Sequence, residues 1–223
     1  MSGCTLRFAR NSPLRTTLVD EATGHAKYKL ETPMRIARSV TRIRKFESPA
    51  QSPLHSSEED DSDSGDDDIA GNGKEGKPNP PEENETEGEL QETSDEMARI
   101  YWKWFSSNRI IFRGRITTRD ELLPKCGKLK GSFTFTGPDG VQYRWALGSM
   151  GMNRPKLVTI DDKTVIAEFH RPNHITNKQK ARLEVQPAGM NMLDHIVLTF
   201  VIVDQTRRER EAAAWHTVPW MIS

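Results

Sequence analysis

A mainly β fold around one buried C-terminal helix is the class this sequence predicts, and three observations carry it. Short runs of period-two alternation recur along most of the chain, punctuated by turns rich in Gly, Pro and Asp. Leu193 to Val203 departs from that rhythm: Leu193, Ile196, Val197, Phe200 and Val201 mark one helical face, and Leu198, Ile202 and Val203 fill the other. A helix apolar all round has to be buried on all sides. The third observation is compositional. From Glu47 to Glu96 there are 18 Asp/Glu against two Lys, which leaves 14 Asp/Glu against 30 Lys/Arg elsewhere, so the net charge of zero conceals two opposed regions.

The elements follow in order. Thr5 to Ala9, Thr16 to Val19 and His25 to Leu30 read as strands, the last two joined by Glu21-Ala22-Thr23-Gly24. Met34 to Arg38 and Val40 to Phe46 continue the pattern. Ala98, Ile100, Trp102 and Trp104 then alternate with Arg99, Tyr101 and Lys103, and the Trp pair reads as core. Asn108 to Thr117 gives a strand pair, after which Thr118-Arg119-Asp120-Glu121 has the spacing of a capping box opening one short helical turn. Ser132 to Thr136 and Val141 to Leu147 flank Gly137-Pro138-Asp139-Gly140, a hairpin turn with Pro and Gly suitably placed. A second hairpin, Lys156 to Ile160 and Thr164 to Phe169, surrounds Asp161-Asp162-Lys163, and Ala181 to Val185 is the last strand. Ten or more short strands at this spacing predict a barrel or a sandwich. In the terminal helix, Asp194 near the start and Arg207, Arg208 and Arg210 at the end match the helix dipole. A β-branched core strand is the alternative for that segment.

Between Ser48 and Asp95 the only larger apolar residues are Leu54, Ile69 and Leu90, too few to offset chain entropy. The strip interrupts the β pattern, and the 46 residues before it are too few for a domain. Lengthening a loop from about 5 to about 50 residues costs only roughly 2 kcal/mol of closure entropy. The expected organisation is one β domain of residues 1–46 plus 97–211, a disordered acidic insertion at 47–96, and a tail at 212–223. Ser56, Ser57 and Ser64 each have an acidic residue three places on, making them candidate phosphorylation sites, and Ser48-Pro49 and Ser52-Pro53 suit proline-directed kinases.

Two cysteines, Cys4 and Cys126, form no CxxC pair and no disulfide framework. No signal peptide is visible, Ser2 occupies the place myristoylation reserves for Gly, and the longest apolar run, Ile196 to Val203, is far short of a span. A soluble, cytoplasmic protein is expected, with the nucleus left open.

Catalytic motifs are absent. There is no Gly-x-Ser-x-Gly elbow, no phosphate-binding Gly-rich loop with Lys, and no His-Glu-x-x-His. His170 and His174 are separated by Pro172 and lack a third ligand nearby, so a surface loop is the better reading than a metal site. The chain is read as a non-enzyme without a cofactor. Basic clusters offer more. Arg113 and Arg115, and separately Arg42 and Arg44, share strand faces by spacing, and these four with Lys45 are the candidate anion-binding residues. Ordinary solvated positions, partly neutralised by the acidic strip, are the plainer reading. Nucleic acid is the poorer partner, as neither a recognition helix nor an aromatic stacking platform is identifiable.

Several stretches resemble the domain-of-unknown-function 6593 family of mushroom-forming fungi. They are Asn11 to Leu18, Met97 to Trp102, Phe133 to Phe135, Asp139 to Trp145, Val165 to Phe169 and Leu193 to Phe200. That family is in turn similar to the tubby C-terminal-like group, which includes LURP-one-related proteins and phospholipid scramblases. The resemblance implies a closed β-barrel around a hydrophobic C-terminal helix, and loosely an intracellular binding or adaptor module for anionic lipid headgroups or an acidic partner protein. A lipid-handling protein or enzyme related to scramblases is the alternative, and the missing membrane anchor counts against it.

Overall fold

Alternating side chains fix which face of each strand turns inward, and in this chain those inner faces surround one helix. The computed structural model describes residues 2–10, 12–33, 39–46, 96–102, 108–126, 132–147, 154–172 and 180–216. Twelve strands form a single antiparallel sheet: β1 (Cys4–Phe8), β2 (Thr16–Asp20), β3 (Ala26–Glu31), β4 (Val40–Lys45), β5 (Glu96–Tyr101), β6 (Arg109–Phe112), β7 (Arg115–Thr118), β8 (Ser132–Thr136), β9 (Gln142–Ala146), β10 (Lys156–Thr159), β11 (Val165–His170) and β12 (Arg182–Val185). Among the described residues two α-helices accompany them, α1 (Arg119–Leu122) and α2 (Leu193–His216), with a 3₁₀ segment at Pro187–Met192 leading into α2.

The pairing order is β7-β6-β5-β4-β3-β2-β1-β12-β11-β10-β9-β8. Among the described residues, two sequential meanders therefore hydrogen-bond to each other where β1 meets β12, in the register Cys4↔Val185 to Arg7↔Arg182. Strands β4 and β5 pair directly, from Val40↔Tyr101 to Arg44↔Glu96, so the acidic strip connects neighbours within the sheet. Glu96, expected to end the strip, is instead the first residue of β5. Helix α2 likewise runs past the boundary expected at 211. Met34 to Arg38, Trp104, the remainder of the strip with Ser56, Ser57 and Ser64, and His174 lie outside the described residues.

Ile196 to Val203 are buried all round, as an all-apolar helix requires. Phe200 lies at the centre, with ring centroids 4.7 Å from Phe169, 5.9 Å from Phe8 and 6.0 Å from Trp145. Those partners come from β11, β1 and β9, so a single side chain ties both meanders to the helix. Trp145 meets the obligation of a buried indole by donating Nε1–H to Thr199 Oγ1 at 3.0 Å. The entry to α2 is just as tight. A Cβ on Gly189 would come within 2.9 Å of Ile166, Ile196 and Val185, so only glycine fits there.

The predicted closed barrel is corrected in one respect: the sheet is not closed. Among the described residues β7 and β8 do not pair, and both are edge strands. The reason is local. Pro124–Cys126 already occupies the outer edge of β8, where Thr134 N–H donates to Pro124 O at 3.0 Å and Cys126 N–H to Ser132 O at 3.1 Å. On the other side, β7 ends at Thr118, whose hydroxyl accepts from Glu121 N–H while the Glu121 carboxylate accepts from Thr118 N–H, the expected capping box. The chain turns into α1 before β7 can reach across.

Candidate functional site

The open seam is a cleft, and its geometry begins with a two-residue turn. Phe112 pairs with Arg115 across the β6–β7 hairpin, leaving Arg113 and Gly114 as the loop. Both have positive φ, 49° and 74°, as tight hairpins of this length require. Glycine adopts that region freely; for Arg113 it costs about 1 kcal/mol or more. This conformation carries the Arg113 guanidinium back over the Phe112 ring, 5.4 Å from its centroid, and to Asp194 Oδ2 at 2.6 Å.

Asp194, in the first turn of α2, is the hub of the site. Its buried carboxylate also accepts from Tyr28 O–H at 2.6 Å and from Lys45 Nζ at 3.1 Å. Burial alone would raise its pKa, but the hydrogen bonds from Tyr28, Arg113 and Lys45 outweigh that and hold the carboxyl below its ordinary range. Tyr28, buried and bonded to that carboxylate, is pushed upward and stays a phenol. His195 beside it stands edge-on to Phe112 with centroids 4.7 Å apart. Burial, reinforced by the Arg113 charge, lowers the His195 pKa, so the imidazole is neutral near pH 7. Its Nδ1 is buried without a hydrogen-bond partner among the described residues.

The cleft itself has a volume of about 1020 Å³, at the upper end of ligand-pocket sizes. One wall comes from the β6–β7 hairpin and α1, with Phe112, Arg113, Arg115, Thr117, Glu121 and Leu122. The other comes from Thr134, Phe135 and Thr136 of β8, with Gln142 and Ile160, while Pro124, Cys126 and His195 complete the lining. Apolar rings and aliphatic chains thus sit beside hydroxyl, amide and guanidinium donors. Glu121 is committed to the cap, its carboxylate held below the ordinary range by Thr118 and Thr117.

The predicted anion-binding residues fall into two groups. Arg42 and Arg44 share the outer face of β4, as their spacing implies, yet each already faces a carboxylate. Arg42 Nε is 4.0 Å from Glu96 and Arg44 Nε is 3.8 Å from Glu31. Lys45 follows Thr41 and Ile43 onto the inner face and joins Arg113 at Asp194. Arg113 and Arg115 do not share a strand face; the former is in the turn and the latter opens β7. Both line the cleft, and Arg115 is exposed with no ion pair among the described residues.

Tyr28, Asp194 and His195 are the site residues that sequence reasoning did not assign. Phe112-Arg113-Gly114-Arg115 carried a usable signal, since a residue followed by Gly between two strands marks a two-residue hairpin. Of the two thiols, Cys4 is buried and pushed up to about 11, which makes it a poor nucleophile, whereas Cys126 is half-buried in the cleft lining. Among the described residues no group of three or more His, Cys, Asp and Glu is arranged to hold a metal, and no helix is long and apolar enough to cross a membrane.

No curated protein and no solved structure matches this chain. The model of one family does, across residues 11–209, which takes in every strand from β2 onward and the greater part of α2. The chain belongs to the Family of unknown function (DUF6593).

Proposed function

We propose that this chain is a non-catalytic binding module of tubby-like kind that recognises an anionic group, carried by a lipid or by an acidic partner protein, at the rim of the seam cleft. The observation that carries the reading is the placement of Arg113 and Arg115 at a large recess between the two unpaired sheet edges. Lys45 and Arg113 share Asp194, and Arg115 in the cleft lining is exposed with no ion pair among the described residues, while His195 stays neutral. A guanidinium has five donors, so the Asp194 contact leaves Arg113 others to offer. The acidic strip competes for the same positive charge, and phosphorylation of Ser56, Ser57 or Ser64 strengthens that competition. The setting proposed is the cytoplasm of a fungal cell.

Sedimentation with vesicles containing anionic lipid, at two salt concentrations, tests the reading. It compares the intact protein, the Arg113→Gln/Arg115→Gln variant and a deletion confined to 47–95, which spares Glu96 in β5. Salt-sensitive binding that the double substitution abolishes and the deletion strengthens is the expected result. Equal binding by all three forms, or none, contradicts it. The second reading, a lipid-handling enzyme, draws on His195 and Cys126 lining one cleft. Turnover of a bound lipid that Cys126→Ser abolishes would decide for it.

A further inference from the structure

We infer that the seam cleft takes a single amphipathic anion from solution, its acidic head at Arg113 and Arg115 and its alkyl chain between Phe112, Leu122, Phe135 and Ile160. The inference rests on the anion-binding reading above and adds the class of ligand.

Three features carry it. First, the lining is divided by chemistry: the two guanidinium groups belong to the β6–β7 hairpin, whereas the apolar side chains come from both walls, Leu122 on α1 and Phe135 on β8 among them. A bare phosphate would engage the arginines and leave those apolar surfaces wet. A head with a hydrocarbon tail satisfies both. Second, the site is a recess of about 1020 Å³. A bilayer surface presents headgroups to protruding or flat basic patches, while a recess this size encloses an individual molecule. Third, the charges discriminate. Glu121 is occupied by the cap at Thr118, Asp194 is covered by Tyr28, Lys45 and Arg113, and Arg115 is exposed without an ion pair among the described residues. An anionic head therefore meets available donors, whereas the carboxylates that a cationic head would need already accept from Thr118 and Thr117 at Glu121 and from two cations at Asp194.

The commitment is to a free single-chain amphiphile; a membrane surface is one of the outcomes that would overturn it. The probes are hexyl, octyl and decyl phosphate below their aggregation thresholds, inorganic phosphate, decylammonium, and anionic vesicles, titrated calorimetrically into the 223-residue chain. Each added methylene strengthens binding by up to about fourfold, so decyl phosphate binds at least roughly tenfold more tightly than hexyl. Arg115→Gln, an exposed position whose substitution leaves folding intact, weakens decyl phosphate at least roughly tenfold. Ile160→Asn flattens the chain-length series while leaving inorganic phosphate binding unchanged. Alkyl phosphates of equal affinity, or decylammonium binding as well as decyl phosphate, overturns the inference. Arg115-dependent binding to vesicles with no binding of free amphiphile also overturns it and leaves the proposed function standing. No binding of any anion overturns both.

Discussion

Two basic regions that look alike in sequence end in different electrostatic states. On the outer face of β3, β4 and β5, Arg42 and Arg44 sit in a ladder with Glu31 and Glu96, joined by Lys29 at 2.8 Å from Glu31 and by Arg99 at 2.6 Å from Glu96. At the seam, Arg113 and Lys45 share the single carboxylate of Asp194, and Arg115 adds a further positive charge. The difference comes from strand register. Pairing of Glu31 with Arg42, and of Arg44 with Glu96, supplies the ladder with counter-ions by construction. At the β6–β7 hairpin no further strand pairs with β7 among the described residues, so register supplies Arg115 with no counter-ion there. Clustered arginines are therefore not the same as available positive charge.

Removing the seam hub has the largest expected effect. Asp194→Ala leaves the buried Tyr28 hydroxyl without its acceptor and two cations without their counter-charge, costing about 3 kcal/mol in urea unfolding. Acid acts on the same end of α2. The folded pKa of His195 is depressed, so the folded state resists its protonation, and stability declines as pH falls from the ordinary histidine value near 6.5 toward that lower pKa. Asp194 is also depressed, so its contribution is complete above the ordinary aspartate value of 3.8 and is lost as pH falls through the folded pKa. Asp194→Asn abolishes that second step and keeps the first; a variant that still shows both would show that the acid step arises elsewhere.

Next in size is the ladder's one buried pair. Glu96 meets Arg99 through two short hydrogen bonds, 2.6 and 3.0 Å, with both side chains inaccessible. Glu96→Gln costs about 2 kcal/mol by thermal unfolding and leaves anion binding unchanged. Arg113→Gly follows. Glycine relieves the left-handed strain, worth about 1 kcal/mol, and forfeits a half-exposed ion pair of similar worth, so stability moves by less than about 1 kcal/mol. Anion binding nevertheless falls roughly tenfold. A loss above about 2 kcal/mol would mean that Arg113 is structural. Smallest of all is Arg44→Ala, expected within about 0.5 kcal/mol by the same unfolding assay and without effect on anion binding.

What could be read from the sequence follows from how local each feature is. Helix α2 was legible because its apolar residues are consecutive, and α1 because a capping box spans only four residues. The hairpins of β8–β9 and β10–β11 announced themselves through their turns. Asp194's partners were not legible. Tyr28, Lys45 and Arg113 are 166, 149 and 81 residues away in the chain, and no local pattern encodes such a meeting. The seam was hidden for a related reason: alternation reports which face of a strand is buried, not which strand lies at its edge. Spacing likewise put Arg113 and Arg115 on one face because it assumed continuous strand where there is a turn.

Amide NMR mapping of decyl phosphate on the 223-residue chain reads both basic regions in one titration. Binding at the seam predicts shifts concentrated at Arg115, Thr117, Thr134, Gln142 and His195, all abolished by Arg115→Gln with Arg113→Gln. Shifts centred instead on Arg42 and Arg44, or unchanged in that double variant, would contradict it.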